Sequence, residues 1–259
     1  LQILVTNDDG INSEWLWILV RELKNIARIT VVAPDKEQSA IGTAVSLRQP
    51  LTVQKIKPAV PEVAAYSTDG TPSDSVIMAL GKLVNGRVDL VASGINQGSN
   101  LGEDVHISGT VGAALQGYLR GCPALAISAP RGNEACLDTA ARVAATLVKN
   151  MASTPLPTKI FLNINLPDLP PSEIAGVKIT RLARESHINT VEEGNLGQQK
   201  HYWLVRQRLN GVDDSSTDIW AIEHGYISIT PLYFNRLDKP PRRTLNRLCT
   251  DLWQRLKNG

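Results

Sequence analysis

Apolar runs of strand length alternate with helical repeats through the first two thirds of this chain, and that alternation restricts the fold more than any other feature. Gln2 to Asn7 is a short, partly β-branched run of the kind that fills a strand buried on both faces. Leu16, Leu19, Val20, Leu23 and Ile26 then recur at helical spacing, with Ser13 placed to cap them. "ITVVAP" (Ile29 to Pro34) is a second buried strand, so the chain opens as a strand–helix–strand unit. Thr71-Pro72-Ser73 precedes a helical stretch holding Val76, Ile77, Leu80 and Leu83. "VDLVASG" is the next strand and "GTVGAALQGYL" the next helix. "PALAIS" and "KIFLNINLP" are two more strands, separated by a helix around 135–149. This order predicts an α/β fold: a three-layer, Rossmann-like, mostly parallel sheet covered by helices on both faces.

After Pro167 the pattern changes. Segments 176–182, 200–208 and 226–232 read as strands with few helices between them, which predicts hairpins outside the core. Pro240-Pro241 precede a final helix with Leu245, Leu248, Leu252, Trp253 and Leu256 on one stripe, and that stripe has no obvious partner in a core already complete. The expected organisation is a catalytic core over 1–175 and a C-terminal extension over 176–259, hairpin-rich and ending in the helix, that serves oligomerisation. "NGVDDSSTD" (Asn210 to Asp218) is a polar loop and the expected place for local mobility.

Composition narrows the class. Of the 259 residues 42% are hydrophobic and 20% charged, the balance of an ordinary soluble globular protein. The net charge of +2, with Lys and Arg scattered, argues against stable nucleic-acid binding. No apolar run approaches the ~18 residues that span a bilayer, and the N-terminus reads as a strand rather than a leader. Cys122, Cys136 and Cys249 stand far apart, which suggests reduced thiols, a cytoplasmic setting and no thiolate zinc site.

Open parallel sheets bind ligands beyond the carboxyl ends of their strands. Three polar loops follow strands here and should share one crevice: Asn7-Asp8-Asp9-Gly10, "DKEQSAIG" with Ser39, and Ser93 to Thr110. Adjacent carboxylates repel, so Asp8 and Asp9 either form a simple turn or need a neutralising partner. The third loop is either a surface loop with Ser108 as a helix cap, or a backbone cradle that gathers N–H groups around an anion at a helix start. No Walker A or G-x-G-x-x-G pattern is present. Two carboxylates, a serine hydroxyl and an asparagine carbonyl make an all-oxygen set suited to Mg²⁺ or Mn²⁺. Beside an anion cradle, that set predicts a metal-dependent phosphatase, with Asp8 or Asp9 also orienting the attacking water. Two alternatives stay open. One is a phosphatase attacking through Asp8 itself, although its usual Asp-x-Asp spacing is absent. The other is a regulatory module that holds nucleotide without turnover.

"TNDDGI", "VVAPDKEQSAIG", "DGTPSDSV", "LVASGINQGSNLGEDVHISGTVGAALQG", "FLNINLP" and "GYISITPL" together resemble the SurE family, stationary-phase survival proteins that act as nucleoside monophosphate phosphatases. The resemblance implies a Rossmann-like core and one divalent cation per subunit held by Asp8, Asp9, Ser39 and Asn96. It places phosphate at Asn100 and Ser108-Gly109-Thr110, also near Asn96. It further implies 5′- and 3′-nucleotide substrates, and homodimers or homotetramers with exchanged C-terminal segments. On this reading Thr110→Ala weakens phosphate binding and leaves metal binding alone. Trp15, where the family usually has glycine, is expected in the core, and no histidine, His106 included, is expected to act in catalysis.

Overall fold

Alternate residues of the first strand enter different cores. The computed structural model describes residues 1–153, 160–185, 188–196, 199–206, 213–232 and 242–257. Its strands are β1 (Gln2–Thr6), β2 (Arg28–Pro34), β3 (Val53–Lys55), β4 (Ala64–Thr68), β5 (Leu90–Gln97), β6 (Ala124–Ala129), β7 (Phe161–Asn165), β8 (Gly176–Ile179), β9 (Ile188–Leu196), β10 (Gln199–Arg206) and β11 (Tyr226–Pro231). Its α-helices are α1 (Glu14–Lys24), α2 (Pro72–Met78), α3 (Gly109–Leu119), α4 (Glu134–Ser153), α5 (Asp218–Glu223) and α6 (Arg242–Lys257). Ile3 and Val5 of β1 pack with Leu16, Leu19 and Leu23 of α1 and with Val143 and Leu147 of α4. Leu4 faces the other way, onto Val76 of α2 and Ala113 of α3. The two-residue side-chain period of a strand thus builds three layers.

Among the described residues the main sheet runs β3-β4-β2-β1-β5-β6-β7-β11-β8. β4, β2, β1, β5, β6 and β7 are parallel to their neighbours in that run, while β3 and β11 pair antiparallel with β4 and β7. Ser13 stands at the start of α1, yet its hydroxyl makes no capping bond. Thr71 and Asp74 close a full capping box on α2. Trp15 packs against the main core, as expected.

The C-terminal third departs from expectation. β8 and β11 are strands of the main sheet, so the sheet continues past residue 175 rather than giving way to a separate extension. Among the described residues only β9 and β10 form a hairpin apart from it, and residues 207–208 of the expected strand lie outside the described residues. α6 also has a home in its own subunit. Leu245, Leu248 and Leu252 are buried in the cluster that holds α1 and α4, with Trp253 and Leu256 at its margin. An apolar stripe shows that a helix must be covered, but not by which chain. Nor is the end of the polar loop loose. Arg181 pairs with Asp214, Thr217 caps α5, and Asp218 is buried; residues 210–212 lie outside the described residues.

Candidate active site

The chain leaves β1 for β2 on one side and returns as β5 on the other, which opens a crevice beyond the carboxyl ends of these two strands. Asp8 and Asp9 follow β1 directly. The buried Asn7 amide donates to the Gly10 carbonyl at 3.0 Å and tightens the turn. Gly10 has φ +93°, and a Cβ there would stand 3.1 Å from the Lys36 backbone, so glycine lets the first and second loops touch. Gln38 N–H donates to the Asp8 carbonyl at 2.7 Å.

The third loop closes the arrangement. Near the end of β5 the register shifts between Ser93 and Asn96, where Gly94 holds φ +136° with the Ile127 carbonyl 2.4 Å from the place of its missing Cβ. Such an irregularity re-aims the residues beyond it. At the far end of the loop, Thr110 Oγ1 donates to Asp8 Oδ1 at 2.5 Å. A Cβ on Gly109 would lie 2.8 Å from Asp8 Cβ and 2.9 Å from Asp8 Oδ2. The start of α3 is therefore seated directly on Asp8. Ser108 Oγ accepts from Val111 N–H at 3.2 Å, so this residue is a helix cap whatever else it contacts.

Charge in this cluster is poorly compensated. Asp8 is only 4% exposed, and burial raises its pKa against the opposing hydrogen bonds of Thr110. Asp9 is pushed up to about 7, first by burial and then by the Asp8 charge, while the Gln97 backbone N–H pulls the other way. Asp9 Oδ2 is buried without a hydrogen-bond partner. A buried, unpartnered carboxylate oxygen beside a second carboxylate is what a hard cation would relieve. Among the described residues no cluster of three His, Cys, Asp or Glu could hold a metal ion, so a cation at the aspartate pair would need neutral oxygens as its further donors. Asn96 and Ser39 fit that need. The Asn96 amide nitrogen is spent on the Gly98 carbonyl at 2.6 Å, which leaves its oxygen available. Ser39, exposed on the second loop, donates to Glu37 Oε1 at 2.5 Å and keeps its lone pairs. The donor set suits Mg²⁺ or Mn²⁺.

Asn100 is held from below by residues that sequence reasoning did not single out. Its N–H donates to Asn165 Oδ1 at 2.8 Å and its side chain to Ser128 Oγ at 2.9 Å. Its carbonyl accepts from Asn163 at 2.8 Å and Asn165 at 3.0 Å. The available signal was polar Asn163 and Asn165 alternating through the apolar strand "FLNIN". His106 is exposed on the short 3₁₀ turn before Ser108 and makes no bond to the aspartates.

The Thr110–Asp8 bond changes one expectation. Thr110 is hydrogen-bonded to Asp8, so Thr110→Ala should weaken metal binding together with nucleotide binding. Calorimetric Mn²⁺ titration checks this; unaltered metal affinity would return Thr110 to the phosphate loop alone.

Comparison with known proteins places the chain in a family. Residues 3–189 match the family model described as survival protein SurE. A 5′-nucleotidase SurE of Dehalococcoides mccartyi is 53% identical, covering 95% of this chain and 93% of its own. A 5′-nucleotidase SurE of Legionella pneumophila is 38% identical over 97% of this chain and its own full length. The crystal structure of a SurE protein from Aquifex aeolicus superposes with a TM-score of 0.78 at 34% identity, covering 91% of this chain and 94% of that one. A match over most of the chain in sequence and in fold has one meaning: the chain belongs to the SurE family.

Proposed function

We propose that this chain is a metal-dependent phosphomonoesterase that hydrolyses nucleoside 5′- and 3′-monophosphates to nucleoside and phosphate. The observation that carries the reading is the buried, under-compensated Asp8–Asp9 pair seated against the glycine start of α3. Relatives named 5′-nucleotidases supply the substrate class. Asp8, Asp9, Ser39 and Asn96 would hold one Mg²⁺ or Mn²⁺. When bound, such a cation draws the phosphoryl oxygens and eases deprotonation of water.

The protein residues divide the remaining work. Asp8 is fixed by Thr110 and shielded from water, so it keeps one position through turnover. Asp9 is half-buried and, without a cation, has its pKa pushed up to about 7 by burial and the Asp8 charge. A cation held by the pair would displace that proton, so Asp9 serves as an ionised ligand and orients water rather than carrying a proton. The glycine-containing loop and the first turn of α3 offer Asn100, Ser108, Gly109 and Thr110 to the phosphate, where backbone dipoles favour negative charge. Direct attack by Asp8 is disfavoured, because its Oδ1 is committed to Thr110 and the carboxylate is enclosed.

Multiple-turnover phosphate release from 5′- and 3′-mononucleotides, beside a non-nucleotide monoester, tests the proposal. Many turnovers on mononucleotides are expected. Stoichiometric binding without release would leave the regulatory-module alternative standing.

No described helix is long and apolar enough to cross a membrane. All three cysteines are buried and none is in a disulfide, which suits a reducing, cytoplasmic setting. For assembly, the β9–β10 hairpin exposes Val191, Tyr202, Trp203 and Leu204. That apolar patch, rather than α6, is the surface we assign to a homodimer or homotetramer.

A further inference from the structure

We infer that Asp218 is a positioning residue for the phosphate loop, acting from the C-terminal third of the chain through the backbone of Gly102. The inference rests on the function proposed above. Asp218 is 0% exposed and accepts three backbone hydrogen bonds. Its Oδ1 takes Ala183 N–H and Ile219 N–H, each at 2.9 Å, and its Oδ2 takes Gly102 N–H at 2.8 Å. Two of those partners belong to its own neighbourhood, whereas the third lies in the middle of the loop between Asn100 and Ser108.

The attachment is built from both sides. Gly102 holds φ +55°, and a Cβ there would lie 2.2 Å from the Glu185 carbonyl. Glu103 N–H donates to that same carbonyl at 3.0 Å. Leu101, Ala183 and Ile219 pack together beside the bonds. Asp218 is itself fixed, because its N–H donates to the Arg181 carbonyl at 2.9 Å and Arg181 N–H donates to Ser216 at 2.9 Å. Gly98 is tied to Ala129 and Asn100 to Asn165 at the near end of the loop. Without Asp218 the stretch from Leu101 to Ile107 would lose its tie at Gly102 and keep those at Glu103 and Ile107, and the residues assigned to phosphate flank it on both sides. A buried carboxylate is costly to keep, and here its return is the placement of those flanking residues.

The two oxygens have different partners, which makes the test selective. In Asp218→Asn the amide oxygen can still serve Ala183 and Ile219, but the NH₂ meets Gly102 N–H donor to donor. Loss of a hydrogen bond to a charged group is on the scale of tenfold or more. Asp218→Asn should therefore raise KM for a 5′-mononucleotide about tenfold, with kcat reduced less, and should weaken inorganic phosphate binding to the Mg²⁺-loaded protein in parallel. Amide exchange across 101–107 should quicken while 183 and 219 stay protected. Gly102→Ala strains the same anchor from the loop side and should reproduce the KM change, which covers failure of the first variant to fold. A lowered Tm with unchanged KM and phosphate affinity would make Asp218 merely structural and overturn the inference. Wild-type protein inactive on every mononucleotide would instead overturn the proposed function, and the exchange and phosphate-binding results would still decide the role of Asp218.

Discussion

Asp9→Asn is expected to lower turnover on a nucleoside 5′-monophosphate by at least ~10²-fold at saturating Mg²⁺, the scale of losing a principal electrostatic group. The substitution keeps the size of the side chain while removing one of two negative charges. Oδ2 of Asp9, buried and unpartnered, is the oxygen most in need of a cation. The same residue sets a pH dependence whose sign can be worked out. Its pKa is raised from the ordinary carboxylate value near 4 to about 7. Between those limits the folded, metal-free protein holds a proton that the unfolded chain has released. The contribution to stability is therefore full below pH ~4 and is lost as pH rises toward 7. A cation competes with that proton, so Mg²⁺ affinity should increase over the same range. Both slopes should flatten in Asp9→Asn, as read by Tm of the chelated protein and by Mg²⁺ titration. Near-normal turnover in this variant would remove Asp9 from the mechanism.

Gly109→Ala should be nearly as damaging, for a steric reason. The new methyl would stand 2.8 Å from Asp8 Cβ and 3.1 Å from Ile41 Cγ2, and the first of these contacts cannot be relieved by rotating a flexible side-chain end. Either α3 or the Asp8 turn must move, and a shift approaching 1 Å at reacting groups costs on the order of 10² in rate. Stability should fall as well, because overpacking at a buried contact costs on the order of 1–3 kcal/mol, but the folded variant should still show the loss of rate. The measurement is kcat/KM against Tm for the purified variant. Activity within about threefold of wild type would mean that the close approach of α3 to Asp8 has no catalytic role.

The sequence reading and the fold part company at an identifiable place. β1, β2, β5 and β6 are apolar runs followed by breaks at Gly or Pro, and that pattern marks burial on both faces. β4 (AAYST), by contrast, mixes apolar and polar residues, and the sequence reading names neither it nor its edge partner β3. β8 and β11 are short and alternate in character, so the sequence marks them as strands without naming their partners. Pairing is long-range: β11 runs antiparallel to β7 and parallel to β8. The stripe on α6 likewise demanded cover without identifying α1 and α4 as part of the same cluster.

For the site, Asp8, Asp9 and the α3 start stood out because charged and glycine residues interrupt apolar elements. The structure brings Asp8, Gly109 and Thr110 into direct contact, while Ser39 is linked to the pair through its own loop. Asn163, Asn165 and Asp218 were hidden for a different reason. They work by holding backbone groups far away in sequence, Asp218 across 116 positions to Gly102, and local spacing carries no trace of such a bond.

Phosphate release from adenosine 5′-monophosphate after exhaustive chelation, followed by add-back of Mg²⁺ or Mn²⁺, tests the central claim most directly. The arrangement of Asp8 and Asp9 predicts that chelation abolishes turnover and that either cation restores it. Turnover that persists unchanged in the chelated protein would contradict the account.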